Sequence, residues 1–267
     1  MTLGGNMIAK EKNEHAEEGG HWYKPNGDTA YFVKAKGTGK DRPTTLRDAR
    51  TLGLYPSTTT ILQQLAKPGL QLWLNQQILL SALTLPRLAT ESEPAWLERV
   101  MFDSKEAGRK AAERGNLAHA IIQTYYENEV YIPEYPKYVY EVEQALDNEF
   151  GLHKWVAEQS FGHQGLRYGG KADLYAPADH LTDFPGAVID IKTKAGDLEK
   201  IKPFPEHIYQ LASYREGLGI PNAICGNLFV NPDTNEVRLV IHDPQDVADG
   251  WAIFCHLLRV YQIKNKI

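Results

Sequence analysis

Val188-Ile189-Asp190-Ile191-Lys192-Thr193-Lys194 follows closely on Gly169-Gly170-Lys171-Ala172-Asp173-Leu174, and these two segments decide the reading of the chain. Successive side chains on a strand point to opposite faces. Asp190 and Lys192 therefore share one face, while Ile189 and Ile191 take the other. An acid and a base side by side among apolar neighbours are costly unless they bind each other or something else. A hairpin returning from Asp173 brings its carboxylate close to Asp190. Two carboxylates sharing a site repel unless a cation neutralises them. A hard divalent ion, Mg²⁺ or Mn²⁺, prefers oxygen ligands of this kind. The bland alternative is a surface salt bridge between Asp190 and Lys192, with Asp173 capping a turn.

Working outward, 155–161, 168–176 and 187–192 are short β-compatible segments separated by Gly, Pro and Asp. A helix is expected over about 206–217, then strands over 223–230 and 237–242, and a last helix over 246–263 with an apolar face. Before Gly151 the pattern is mostly helical. Helices are expected from Ser57 or Thr58, over about 70–82, over 94–128 in two pieces, and over 138–150. His21–Val33 reads as a hairpin about the turn Pro25-Asn26-Gly27-Asp28. The order predicts an α/β fold: a mixed central sheet flanked by helices, with a helical N-terminal elaboration. Residues 1–20 are expected to form a disordered or weakly ordered tail, 21–150 the hairpin and helical part, and 151–267 the core. The helix over 104–128 integrates the last two.

Two helical motifs bear on the same chemistry. In Arg114-Gly115-Asn116-Leu117-Ala118-His119, Gly115 and His119 lie one turn apart, so His119 shares a face with a small residue. A neutral imidazole can ligate a divalent metal, though a lone helical His is ordinarily a packing or surface residue. In Gln210-Leu211-Ala212-Ser213-Tyr214, Gln210 and Tyr214 share a face and can support a phosphate or base; alone they are packing residues.

The ordered set Gly115/His119, Asp173, Asp190-x-Lys192 and Gln210-x-x-x-Tyr214 resembles the RecB-type nuclease branch of the PD-(D/E)XK superfamily. Tyr55-Pro56-Ser57-Thr58-Thr59-Thr60-Ile61-Leu62 is similar to a P-S-V-T-x-I-L segment of phage exonucleases and mitochondrial genome-maintenance exonucleases, with Thr58 in place of the usual Val. The resemblance covers roughly Tyr55 to Tyr214. It implies a restriction-endonuclease-like core and metal ligation by His119, Asp173, Asp190 and the Ile191 carbonyl. It also implies a catalytic role for Lys192, with Gln210 and Tyr214 supporting the site and Ser57 and Thr58 near DNA. Glu158 stands where many relatives place a further acidic residue; an exposed strand Glu is the equal alternative.

Composition limits the field without choosing within it. The 267 residues, 42% hydrophobic and 24% charged, suffice for a sizeable core. A formal net charge of -5 argues mildly against a nucleic-acid partner. A local basic track, Lys105, Arg109, Lys110 and Arg114, answers that objection, or else is a solvated helix face compensated by Glu106 and Glu113. Tyr125, Tyr126, Tyr131, Tyr135, Tyr138 and Tyr140 can stack on bases, but packing is the better reading. Trp73 and Trp96 read the same way. Cys225 and Cys255 have no CxxC spacing and are read as reduced thiols. Gly37-Thr38-Gly39-Lys40 lacks the spacing of a phosphate loop, so no ATPase is expected. No apolar run spans a membrane and the first residues lack a signal-peptide pattern, so a cytoplasmic protein is expected, in a host cytoplasm if a phage supplied the gene. The leading expectation is an Mg²⁺- or Mn²⁺-dependent DNA nuclease, exonucleolytic on single strands or ends. The alternative is a catalytically silent nuclease-like module that binds DNA or protein.

Overall fold

The computed structural model describes residues 21–128 and 135–267; the expected tail at 1–20 and Tyr131 lie outside the described residues. The chain forms two compact units. Leu65–Leu117 is one, and the described residues up to Gln64 together with Ala118–Ile267 form the other.

The larger unit is built on five strands: β5 (Val156–His163), β6 (Tyr168–Ala176), β7 (Ala187–Thr193), β8 (Ile224–Asn231) and β9 (Glu236–Ile241). They lie in that spatial order, with β7 and β8 parallel and every other pair antiparallel. A parallel pair needs a crossover, and α7 (Pro205–Gly217) supplies it. This is a mixed α/β fold with a five-stranded sheet flanked by helices, as the alternating pattern predicts.

One face of the sheet presents Leu174, Ala176, Ile189, Ile191, Leu228 and Val230. They pack with Ala118, Ile121 and Ile122 from α5 (Glu106–Asn128) and with Val139, Val142 and Leu146 from α6 (Lys137–Phe150). The spacing of these helical residues puts them on one stripe. Ile189 and Leu228 are fully buried; truncating either to Ala costs about 2–5 kcal/mol. The opposite face carries Val188, Asp190 and Lys192 by strand alternation, and α7 lies on that side. The last helix, α8 (Pro244–Asn265), begins two residues before the expected Asp246. Asp243 caps it and Pro244 occupies its first turn, where a missing N–H costs nothing.

The N-terminal part departs from expectation. The turn at Pro25–Asp28 forms, with Gly27 at φ 92° and the Lys24 N–H bonded to the Asp28 carbonyl at 2.8 Å. Across it, however, Tyr23 and Thr29 meet only as an isolated bridge. The ladder of β1 (Trp22–Tyr23) goes to β4 (Tyr55–Pro56). A separate hairpin pairs β2 (Phe32–Lys34) with β3 (Asp41–Pro43), and the Gly37–Lys40 loop is its turn. The helix α1 (Leu46–Leu52) is also unanticipated. Its capping box is explicit in the sequence: Thr45 Oγ1 accepts the Asp48 N–H and Asp48 accepts the Thr45 N–H. The short helix α2 (Thr58–Leu62) starts where expected, with Ser57 accepting the Thr60 N–H at 3.0 Å.

In the smaller unit, α3 (Pro68–Thr84) and α4 (Glu93–Ser104) pair. Trp96 donates its indole N–H to the Leu85 carbonyl at 2.7 Å, and Arg99 grips Glu91 with two bonds of 2.8–2.9 Å. Trp73 lies against Gly108. Both tryptophans therefore pack, as read from the sequence. No helix among the described residues is long and apolar enough to cross a membrane. Both cysteines are free.

Candidate active site

The ladder between β6 and β7 holds only three pairs, from Ala176↔Ala187 to Leu174↔Ile189. Continuing that register would set Asp173 opposite Asp190 and Ala172 opposite Ile191. Instead the strands part, and Asp173 Oδ2 accepts the Ile191 N–H at 2.8 Å. A carboxylate thus stands where the ladder would have placed a backbone carbonyl, and the two acidic side chains come to one opening in the sheet.

Asp190 is 1% exposed. Lys192 Nζ donates to its Oδ1 at 3.0 Å and is ion-paired with its Oδ2 at 2.9 Å. Burial pushes the Asp190 pKa up most strongly; Lys192 pulls it back, and repulsion from Asp173 adds to the rise, leaving it raised. Burial works against the Lys192 charge too, but the attraction of Asp190 and Asp173 outweighs it and the net shift is upward. Lys192 is therefore an ammonium ion at neutral pH.

The helix α7 closes the site from above. Lys192 Nζ reaches Gln210 Oε1 at 3.4 Å, and Gln210 Nε2 donates to Tyr214 Oη at 2.8 Å. The i, i+4 spacing aligns Gln210 and Tyr214 along the helix. Burial first, then the nearby Asp190 and Asp173 charges, raise the Tyr214 pKa well above that of a free phenol, so it stays neutral. Gly170 makes room for this ring. A Cβ there would sit 2.7 Å from Phe161 Cζ and 2.9 Å from Tyr214 Cε1.

His119, from α5, places Nδ1 at 3.6 Å from Asp173 Oδ2, too far for a hydrogen bond but adjacent to the carboxylate pair. The structure thus brings His119, Asp173, Asp190, Lys192, Gln210 and Tyr214 together. Ile191 takes part through its N–H. Glu158 lies between the pairs Ala157↔Leu174 and Gln159↔Ala172, opposite Asp173, at φ 54°. It is ion-paired with Lys171, two residues before Asp173.

Ser57 and Thr58 are 3% and 0% exposed, and their hydroxyls are engaged within the fold. The Ser57 hydroxyl caps α2, while Thr58 Oγ1 bonds to Ser213 Oγ at 3.0 Å and joins α2 to α7. In the basic track, Arg109 is paired with both Glu106 and Glu113, and Lys110 with Glu106 at 3.4 Å. These cations compensate acids on their own helix. The rings of Tyr126, Tyr135 and Tyr140 each meet Tyr125 edge-on, which is packing. His207 lies against Phe204 and Phe229.

Two residues escaped the sequence reading. Asn227 on β8 donates Nδ2–H to Asp190 Oδ2 at 2.8 Å, and its Oδ1 meets His242 Nε2 at 2.8 Å. An asparagine within the apolar run Ile224-Cys225-Gly226-Asn227-Leu228-Phe229 was the available signal.

Among the described residues no three His, Cys, Asp or Glu side chains form a ready-made metal cluster. A magnesium-like ion needs less, since it is commonly held by one or two carboxylates and keeps several waters. Asp173 and Asp190 fit that requirement: they are hard oxygen donors at one opening, and one is a buried acid beside another.

No protein-family model and no curated protein matches the chain. Among solved structures it is similar to SSO0001, at 15% identity over 70% of this chain and 85% of that one, with a TM-score of 0.29. It is also similar to a protein of Eubacterium rectale that carries a provisional exonuclease name, at 14% identity over 67% of this chain and 71% of that one, with a TM-score of 0.36. Both scores are too low to bear on the chemistry of this chain.

Proposed function

We propose that this chain is a divalent-metal-dependent DNA nuclease, acting as an exonuclease on single strands or duplex ends. The observation that carries the reading is the pair Asp173 and Asp190 at an opening in the sheet, with Lys192 bound to Asp190 and Gln210. Asp173, Asp190, His119 and the Ile191 carbonyl would hold Mg²⁺ or Mn²⁺. The bound ion would polarise the scissile phosphate and activate water. Lys192 contributes a fixed positive charge that orients the attacking water and stabilises charge developing on the phosphate. Gln210 fixes the position of that ammonium, and Tyr214 in turn fixes Gln210. Lys105, Arg109, Lys110 and Arg114 would contact phosphates. Arg109 and Lys110 would exchange their glutamate partners for phosphate, so this affinity should fall with salt.

The test is hydrolysis of end-labelled single- and double-stranded DNA with Mg²⁺, with Mn²⁺ and with EDTA. Metal-dependent shortening from an end supports the proposal. One observation favours a second reading, a silent module that binds DNA or protein: both Asp190 oxygens already have partners in Lys192 and Asn227. Metal-dependent stabilisation without turnover of any substrate would favour it.

A further inference from the structure

Asn227 stands beside Asp190 in the parallel register of β7 and β8. It is 0% exposed, in a strand whose other members are almost all apolar. A buried amide is destabilising if its partners are missing, so a Leu or Val would be the simpler occupant. Asn231, the other buried amide of the strand, binds the Gly196 carbonyl and the Asp233 N–H, and so holds backbone. Asn227 reaches the Asp190 carbonyl at 3.4 Å but also, and more closely, its carboxylate, with Oδ2 at 2.8 Å.

An amide has two ends of nearly the same shape but opposite hydrogen-bonding character. Turned one way, Asn227 gives Asp190 a donor; turned the other way, it sets an oxygen against a carboxylate. The Asp190 carboxylate calls for the N–H end, and His242 meets the other end. It lies just past β9, 9% exposed, tied down by its N–H bond to the Cys225 carbonyl at 2.9 Å. Its Nε2 is 2.8 Å from Asn227 Oδ1. With the amide N–H facing the Asp190 carboxylate, Oδ1 faces His242, and this bond requires the tautomer protonated on Nε2.

We propose that Asn227 and His242 are a positioning pair for Asp190: His242 fixes the Asn227 amide, and the amide holds Asp190 Oδ2 in one orientation for cation binding. This rests on the reading of Asp190 as a metal ligand. Groups that hold a ligand in place commonly change metal affinity about 10–100-fold when removed.

The experiment is calorimetric titration of the full chain with Mn²⁺, comparing wild type with Asn227→Leu, His242→Phe and His242→Gln, each checked for folding by circular dichroism. The expected result is a Kd raised about 10–100-fold in the first two. In His242→Gln, which keeps an N–H donor, affinity should be largely recovered. Folded Leu and Phe variants with the wild-type Kd would overturn the pair while leaving the metal reading intact. A wild type that binds no Mn²⁺ would overturn both. The ¹⁵N resonances of the His242 ring in the wild type give a second test that needs no variant. A proton on Nε2 is expected, and a bare Nε2 would overturn the proposal.

Discussion

Asp173 Oδ2 accepts the Ile191 N–H at 2.8 Å at the point where β6 and β7 stop pairing. One side chain thereby satisfies a strand donor that would otherwise be orphaned and brings a second carboxylate to Asp190. Hydrogen bonds to charged groups contribute about 1.5–3 kcal/mol, so structure and site are coupled here. Altering Asp173 is a poor probe of chemistry alone. Asp190 and Lys192 are better ones.

Lys192→Ala should lower the rate of DNA cleavage about 10²–10⁴-fold, the usual range for a charge-stabilising or proton-handling group. Lys192→Arg should not restore it. A planar guanidinium does not replace one compact ammonium that touches both Asp190 and Gln210. Single-turnover rates at saturating metal check this, and a Lys192→Ala rate near wild type would remove Lys192 from the mechanism.

The raised Asp190 pKa makes metal stabilisation depend on pH. An acid whose folded pKa, here about 6, exceeds its unfolded value of about 3.9 binds its proton more tightly when folded. Its protonation therefore stabilises the fold as pH falls from about 6 to about 4, and above that window the ionised group is a cost. A cation relieves this cost at high pH but must displace the proton at low pH. Mg²⁺ should raise Tm more at pH 8 than at pH 5, with about 2.7 kcal/mol available at a hundred times Kd. Thermal unfolding with Mg²⁺ and with EDTA at both pH values checks it. An equal gain at both would contradict the assignment.

Thr58 and Ser213 share a buried hydrogen bond of 3.0 Å. Thr58→Val alone should cost about 0.5–1.5 kcal/mol, the usual worth of one hydrogen bond, because Ser213 Oγ keeps its bond to the Gln210 carbonyl at 2.7 Å. Adding Ser213→Ala should cost less than the sum of the single changes, since both remove the same shared bond. Urea midpoints of the four proteins in the cycle check the coupling, and strict additivity would argue against it.

What was legible in the sequence follows from range. Asp190 and Lys192 were found because strand alternation puts them on one face, and Gln210 and Tyr214 because they are one helical turn apart. The long strands and helices showed their periods. The first pairings did not: two-residue strands have no period, and β1 finds its partner more than thirty residues away. The cap of α1 is written locally, in Thr45 and Asp48. Asn227 stands out as an amide in an apolar run, but its relation and that of His242 to Asp190 are made by strand neighbours, not by spacing. The burial of Ser57 and Thr58 likewise depends on β6 and α7, which meet α2 only in the folded chain.

The most direct measurement is hydrolysis of end-labelled DNA by wild type and Asp190→Asn side by side, in Mg²⁺, Mn²⁺ and EDTA, with folding of both checked by circular dichroism. The account predicts shortening from an end by the wild type with either metal, none in EDTA, and a loss of at least about 10³-fold in the folded variant. Cleavage by Asp190→Asn at the wild-type rate would contradict it.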